Sequence, residues 1–132
     1  MFVATPMSKH AKAYGQMAVN TRVSTTDPHG LIEMLFDAID EQLAIALGAL
    51  DAGDAERRGQ AIRKAVLLLQ DGLRGGLDLE KGGELAQRLD ALYEYSVARL
   101  VEAHTRRDRA AMQEVREHLR TVADGWKAIR PQ

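Results

Sequence analysis

His10, His29, His104 and His118 are the side chains best suited to metal, acid–base or phosphoryl chemistry near neutral pH. Each of those chemistries has a spacing requirement. A carboxylate-bridged di-iron site in a helical bundle needs Glu-x-x-His pairs on facing helices. No glutamate in this chain has a histidine three residues on. A His-Glu-x-x-His zinc helix and a Walker-type phosphate loop are likewise absent. Phosphotransfer bundles carry an exposed histidine with lysine and glycine three and four residues later, and all four histidines fail that pattern. Glu114 and His118 share a helix face at i,i+4, the spacing of an ordinary exposed pair. Gly82-Gly83 is followed by no lysine and hydroxyl, so it marks a turn and helix start rather than a phosphate cradle. Arg57-Arg58 and Arg106-Arg107 sit near helix ends beside acids and read as solvated termini, not nucleic-acid contacts. His29 falls in the first turn of a helix, where a structural or solvated role suits it. These residues predict no enzyme, no metal and no cofactor.

The whole composition points the same way. The 132 residues fit one domain, 1–132, and burying roughly two-thirds of the unfolded surface makes a single core feasible at this length. With no cysteine, disulfide staples and thiolate metal sites are excluded. A formal charge of −1, with both signs interspersed, argues against nucleic acid or an anionic membrane as the main partner. No apolar run approaches the ~20 residues that span a bilayer. The expectation is a cytoplasmic protein without membrane insertion.

Helical periodicity fills nearly all of the chain. Residues 1–12 have no period and read as a loose tail. A short first helix over 12–21 places Tyr14, Met17 and Ala18 on one face. A second helix begins at the N-cap Asp27 with Pro28 at its first position, runs to Asp51 or Ala52, and stops at Gly53. Its stripe is Leu31, Ile32, Leu35, Phe36, Ile39, Leu43, Ala46, Leu47 and Leu50, with Met34 and Ile45 outside it. A third helix starts at Asp54 and ends near Gly75-Gly76, with a core seam of Ile62, Val66, Leu69 and Leu73. Leu67 and Leu68 rotate off that seam. A fourth covers 83–105, with Leu85, Leu89, Leu92, Tyr93, Val97 and Leu100 recurring at helical spacing. Asp108 caps a fifth, whose stripe is Met112, Val115, Leu119, Val122, Trp126 and Ile129, and Pro131 ends it.

Short connections between long amphipathic helices imply antiparallel neighbours. The prediction is all-α: an antiparallel up-down four-helix bundle with a short extra N-terminal helix. The second and third helices carry more apolar surface than one core consumes, which predicts a binding surface there.

Several blocks together resemble one known family, the flagellar secretion chaperones FliS. Near the start, Ala13-Tyr14 and Val19-Asn20-Thr21 match. Asp27-Pro28-His29 resembles the family's Ser-Pro-His step, followed by Leu31-Ile32 and Met34-Leu35-Phe36-Asp37. Gly72-Leu73, Leu77-Asp78, Gly82-Gly83-Glu84 and Leu92-Tyr93-Glu94-Tyr95 continue the likeness to Trp126-Lys127-Ala128-Ile129. The chain departs from the family's usual tyrosine at Phe36, methionine at Ser96 and asparagine at His104. The resemblance implies a chaperone that binds the disordered C-terminal region of flagellin, prevents premature polymerisation and delivers it to the export gate.

A disordered amphipathic client folds as helices against an apolar groove. The residues expected to meet it are Ile32, Phe36, Leu67 and Leu68, with Tyr95 at the edge. Ile32 and Phe36 also lie within the wide core stripe and suit a purely structural role. Tyr14 and Met17 could cover the surface until the client displaces them, or could be a permanent packing element. An uncovered apolar face could also pair two copies into a homodimer. The competing reading is a helical docking module that regulates flagellar gene expression through a folded partner, such as an anti-sigma factor, or acts beside a co-chaperone.

Overall fold

Asp27 opens the first described helix, with Pro28 at its first position. It sits in an extended conformation, and its carboxylate accepts from the His29 backbone N–H at 3.1 Å. The computed structural model, which describes residues 27–131, carries this helix, α1, over Pro28–Ala52. Gly53 ends it, its N–H bonding back to the Ala49 and Leu50 carbonyls. Asp54 caps α2, Ala55–Leu67, by accepting from the Arg57 N–H at 3.0 Å. α3 spans Gly83–Arg106, and Asp108 caps α4, Arg109–Ala128, through the Ala111 N–H. The tail 1–12, the helix expected over 12–21, Tyr14 and Met17 lie outside the described residues.

The third predicted helix does run on past Leu67, but not as an α-helix. Its backbone widens into a π-helical segment over Leu68–Arg74, and the Gly75 N–H closes on the Gln70 carbonyl five residues back at 3.0 Å. A Cβ at Gly75 would stand 2.5 Å from the Asp71 carbonyl oxygen, so this exit requires glycine. Gly83, with φ +60°, uses the left-handed freedom of glycine to enter α3.

The described residues form no strand, and the four helices pack as an all-α up-down bundle. α1 and α3 each lie against α2 and α4, closing a ring. Leu35, Ile39 and Leu43 of α1, Leu69 and Leu73 of the π segment, Tyr93 and Leu100 of α3, and Met112 and Val115 of α4 are fully buried inside it. Arg109–Asp51, Arg116–Asp40, Lys127–Asp37 and Arg130–Glu33 pair across α1 and α4 at 2.9 to 3.2 Å. Apart from the partly buried Arg116–Asp40, these pairs are largely exposed, so they select the antiparallel register more than they stabilise it.

The buried face of α2 differs from the expected seam. Leu67 is 43% exposed as expected, whereas Leu68 is only 7% exposed and belongs to the core. Ala61 and Ala65 are buried as well. Their short side chains belong to the packed face, so its centre lies between Ile62 and Leu68 rather than on the line of large residues. Val66 is left half-buried on the opposite flank. Leu68→Ser should therefore cost about 3 kcal/mol, from lost burial plus a buried hydroxyl, while Leu67→Ser stays within about 0.5 kcal/mol. Parallel urea titrations of the two variants check this.

Arg58 corrects a second expectation. It is buried rather than solvated, and its guanidinium donates to His104 Nδ1 at 3.0 Å and to the His104 carbonyl at 3.5 Å. Desolvation, then the charges of Arg58 and Arg63, hold the His104 imidazole below its ordinary 6.5. Protonation would replace the acceptor lone pair with a donor facing Arg58. The unfolded chain therefore takes up this proton more readily than the folded one. The stability from this contact is complete above about pH 6.5, falls as pH drops through that value, and levels off below the depressed folded-state pKa. Melting temperatures between pH 8 and 5 should show this slope, and His104→Asn, which still offers Arg58 an acceptor, should flatten it.

Candidate partner-binding groove

Among the described residues, one end of the bundle does not close. The first turn of α1, the first turns of α3 and the last turns of α4 meet there around an open groove of about 340 Å³. Its walls are almost wholly apolar: Phe36 from α1, Leu85, Leu89 and Tyr93 from α3, and Val122 and Trp126 from α4, with Ile129 and Pro131 at the rim. Leu85 and Ile129, at 56% and 65% exposure, present large apolar side chains to solvent. Ile129 was expected inside the α4 stripe, but the helix stops at Ala128 and the last stripe position falls beyond it.

Trp126 ties the end of α4 to the start of α1. Its indole N–H donates to the His29 carbonyl at 2.9 Å, and its ring stacks on the His29 imidazole at a centroid distance of 4.2 Å with planes 9° apart. Phe36 and Tyr93 meet with centroids 6.5 Å apart and planes tilted by 57°, a favourable aromatic geometry. Burial alone pushes the Tyr93 phenol well above its ordinary range, so it stays neutral. Two buried side-chain atoms, His29 Nε2 and Tyr93 Oη, have no hydrogen-bond partner among the described residues. Glu33 Oε1 lies 3.9 Å from Nε2, beyond hydrogen-bond reach.

The residues expected at the binding surface do not share one face. Phe36 lines the groove, although buried, while Ile32 lies in the core. Leu67 is exposed on α2, away from the groove, and Leu68 is buried. Tyr95 is exposed at the junction of α3 and α4, its hydroxyl donating to Glu114 at 3.4 Å beside the Arg99–Glu114 pair at 3.1 Å. The surplus apolar surface expected on α1 and α2 is mostly consumed by the core, and open apolar surface appears instead at the ends of α3 and α4. Leu85, Leu89, Trp126 and Ile129 were legible as end members of their stripes. Up-down connectivity brings the start of α3 and the end of α4 to the same end of the bundle, beside Asp27.

Such a groove is suited to clasping an apolar segment. Among the described residues, no group of three or more His, Asp and Glu could hold a metal, and no helix is long and apolar enough to cross a membrane. The model of the family described as "Flagellar protein FliS" matches residues 10–132. The chain is 44% identical over 120 residues to the flagellar secretion chaperone FliS of Salmonella typhimurium, covering 91% of this chain and 89% of that protein. It is also 44% identical over 121 residues to the flagellar secretion chaperone FliSB of Pseudomonas aeruginosa, covering 92% and 95%. The FliS protein of Escherichia coli is 37% identical over 120 residues, covering 91% and 88%. With the family model matching residues 10–132 and these relatives aligned over about nine-tenths of the chain, the chain belongs to the FliS family of flagellar proteins.

Proposed function

We propose that this protein is a flagellar export chaperone that binds the disordered C-terminal region of flagellin, keeps it from polymerising in the cytoplasm, and assists its delivery to the export gate. Family membership carries this reading, and the open apolar groove supplies a place for it. An amphipathic client segment that is disordered when free gains a helix by laying its apolar face against Leu85, Leu89 and Trp126. Phe36 backs that surface, with Ile32 behind it in the core. Leu67 and Tyr95 are further accessible points for a client long enough to wrap the bundle.

Residues 1–20, with Tyr14 and Met17, serve as a removable cover in this reading. Deleting them from the folded protein should tighten or speed client binding. Loss of folding would make the segment a permanent packing element, and weaker binding with the fold intact would make it a client contact.

The test of function is calorimetric titration with roughly the last 40 residues of flagellin from the same cell, enough chain for coupled folding onto a groove. One-to-one binding with a large negative heat-capacity change is expected. No binding at micromolar concentration by folded protein overturns the reading and points to a folded regulatory partner.

A further inference from the structure

We propose that His29 and Tyr93 form a polar reading point within the groove, and that the client segment seated there presents a side-chain amide, from Asn or Gln, to both. This rests on the export-chaperone reading and specifies its client. The two residues stand on different helices, α1 and α3, yet both line the same open apolar groove. They also carry the two buried side-chain polar atoms that lack a partner among the described residues. An unpaired buried donor or acceptor costs about 1–3 kcal/mol, and native proteins keep few of them. Two such atoms in one groove that the described residues leave open point to an occupant that pairs them.

The chemistry of the site selects the occupant's group. A carboxylate would enter an apolar groove as an uncompensated charge, with Glu33 already 3.9 Å from Nε2. A lysine or arginine offers no acceptor to the Tyr93 O–H. It would look to Glu33, which Arg130 already holds at 3.1 Å. A primary amide is neutral and carries both roles. Its oxygen accepts from Tyr93 Oη–H, and its nitrogen donates to His29 Nε2 in the Nδ1-protonated tautomer. Such a contact would also fix the client's register, which uniform apolar packing leaves free to slip.

Calorimetry on the full chain tests this, with the flagellin C-terminal peptide and a set of its variants in which each Asn or Gln is replaced by Leu. Tyr93→Phe removes only the unpaired hydroxyl, so its melting temperature should hold or rise. It should bind the unaltered peptide about tenfold more weakly, the client amide being left unpaired. One amide→Leu peptide should lose about tenfold more against the wild-type protein than against Tyr93→Phe, where only the His29 pair remains to be lost, the signature of a direct contact with the hydroxyl. His29→Phe, which keeps a ring against Trp126, should lose a similar factor. Unchanged affinity of Tyr93→Phe overturns the proposal, as does an amide scan equally costly to both proteins. A lowered melting temperature of Tyr93→Phe also overturns it, because the hydroxyl would then be satisfied inside this chain. If the wild-type protein fails to bind the peptide, the export-chaperone reading falls and takes this inference with it. A wild type that binds without sensitivity to these changes sinks the inference alone.

Discussion

Leu85→Asp is expected to weaken client binding at least 100-fold while leaving the fold in place. Leu85 is 56% exposed and lines the groove, so the free protein loses little burial when it is replaced. The substitution lies in the first turn of α3, where an acid interacts favourably with the helix dipole by about 0.3–1 kcal/mol. Stability should therefore change by no more than about 0.5 kcal/mol. In the complex the same carboxylate would face an apolar client segment. Desolvating an unpaired charge there costs several kcal/mol, and about 1.4 kcal/mol is tenfold in affinity. Val101→Asp is the control: Val101 is similarly exposed on the same helix, outside the groove. Calorimetry and thermal melts on both variants decide the matter. If Leu85→Asp binds as tightly as the control, the client docks somewhere else on the bundle.

Trp126→Ala carries the largest expected loss of stability at this end of the molecule, about 3 kcal/mol. The indole is half-buried, stacks on His29 and donates to the His29 carbonyl. Truncation to alanine loses the ring's burial, the stack and the hydrogen bond together. For a chain of this size that corresponds to a fall in melting temperature of about 10 °C. Trp126→Phe separates the contributions, because it keeps a ring against the imidazole but has no N–H to donate. It should cost about 1 kcal/mol, the worth of one hydrogen bond. Equal losses for the two variants would mean that the hydrogen bond, not the stack, anchors α4. A loss below 1 kcal/mol for Trp126→Ala would mean that Trp126 does not hold the ends of α1 and α4 together. Client binding should fall with Trp126→Ala beyond what stability explains, since the ring is also a wall of the groove.

The sequence by itself determined the starts of the described helices, the stop of α1 at Gly53, and the family. Asp27, Asp54 and Asp108 each satisfy a backbone N–H two or three residues on, and Gly53 bonds back three and four residues. Such contacts are local, so residue types alone specify them. Apolar spacing likewise marked the α1 stripe, buried from Leu31 to Leu47 with Leu50 half-buried. Tertiary structure alone decided which side of a stripe is covered and where covering stops. Leu68 turned inward because Ala61 and Ala65 count in packing, although they add little to a pattern weighted by large side chains. Arg58 found His104 across 46 residues, and Trp126 found His29 across 97. Neither partner is marked by spacing, since both depend on how two helices approach. The groove follows from the same cause. Leu85 and Trp126 have the periodicity of core residues, and only the way α1, α3 and α4 meet at one end leaves them on a groove open to a partner.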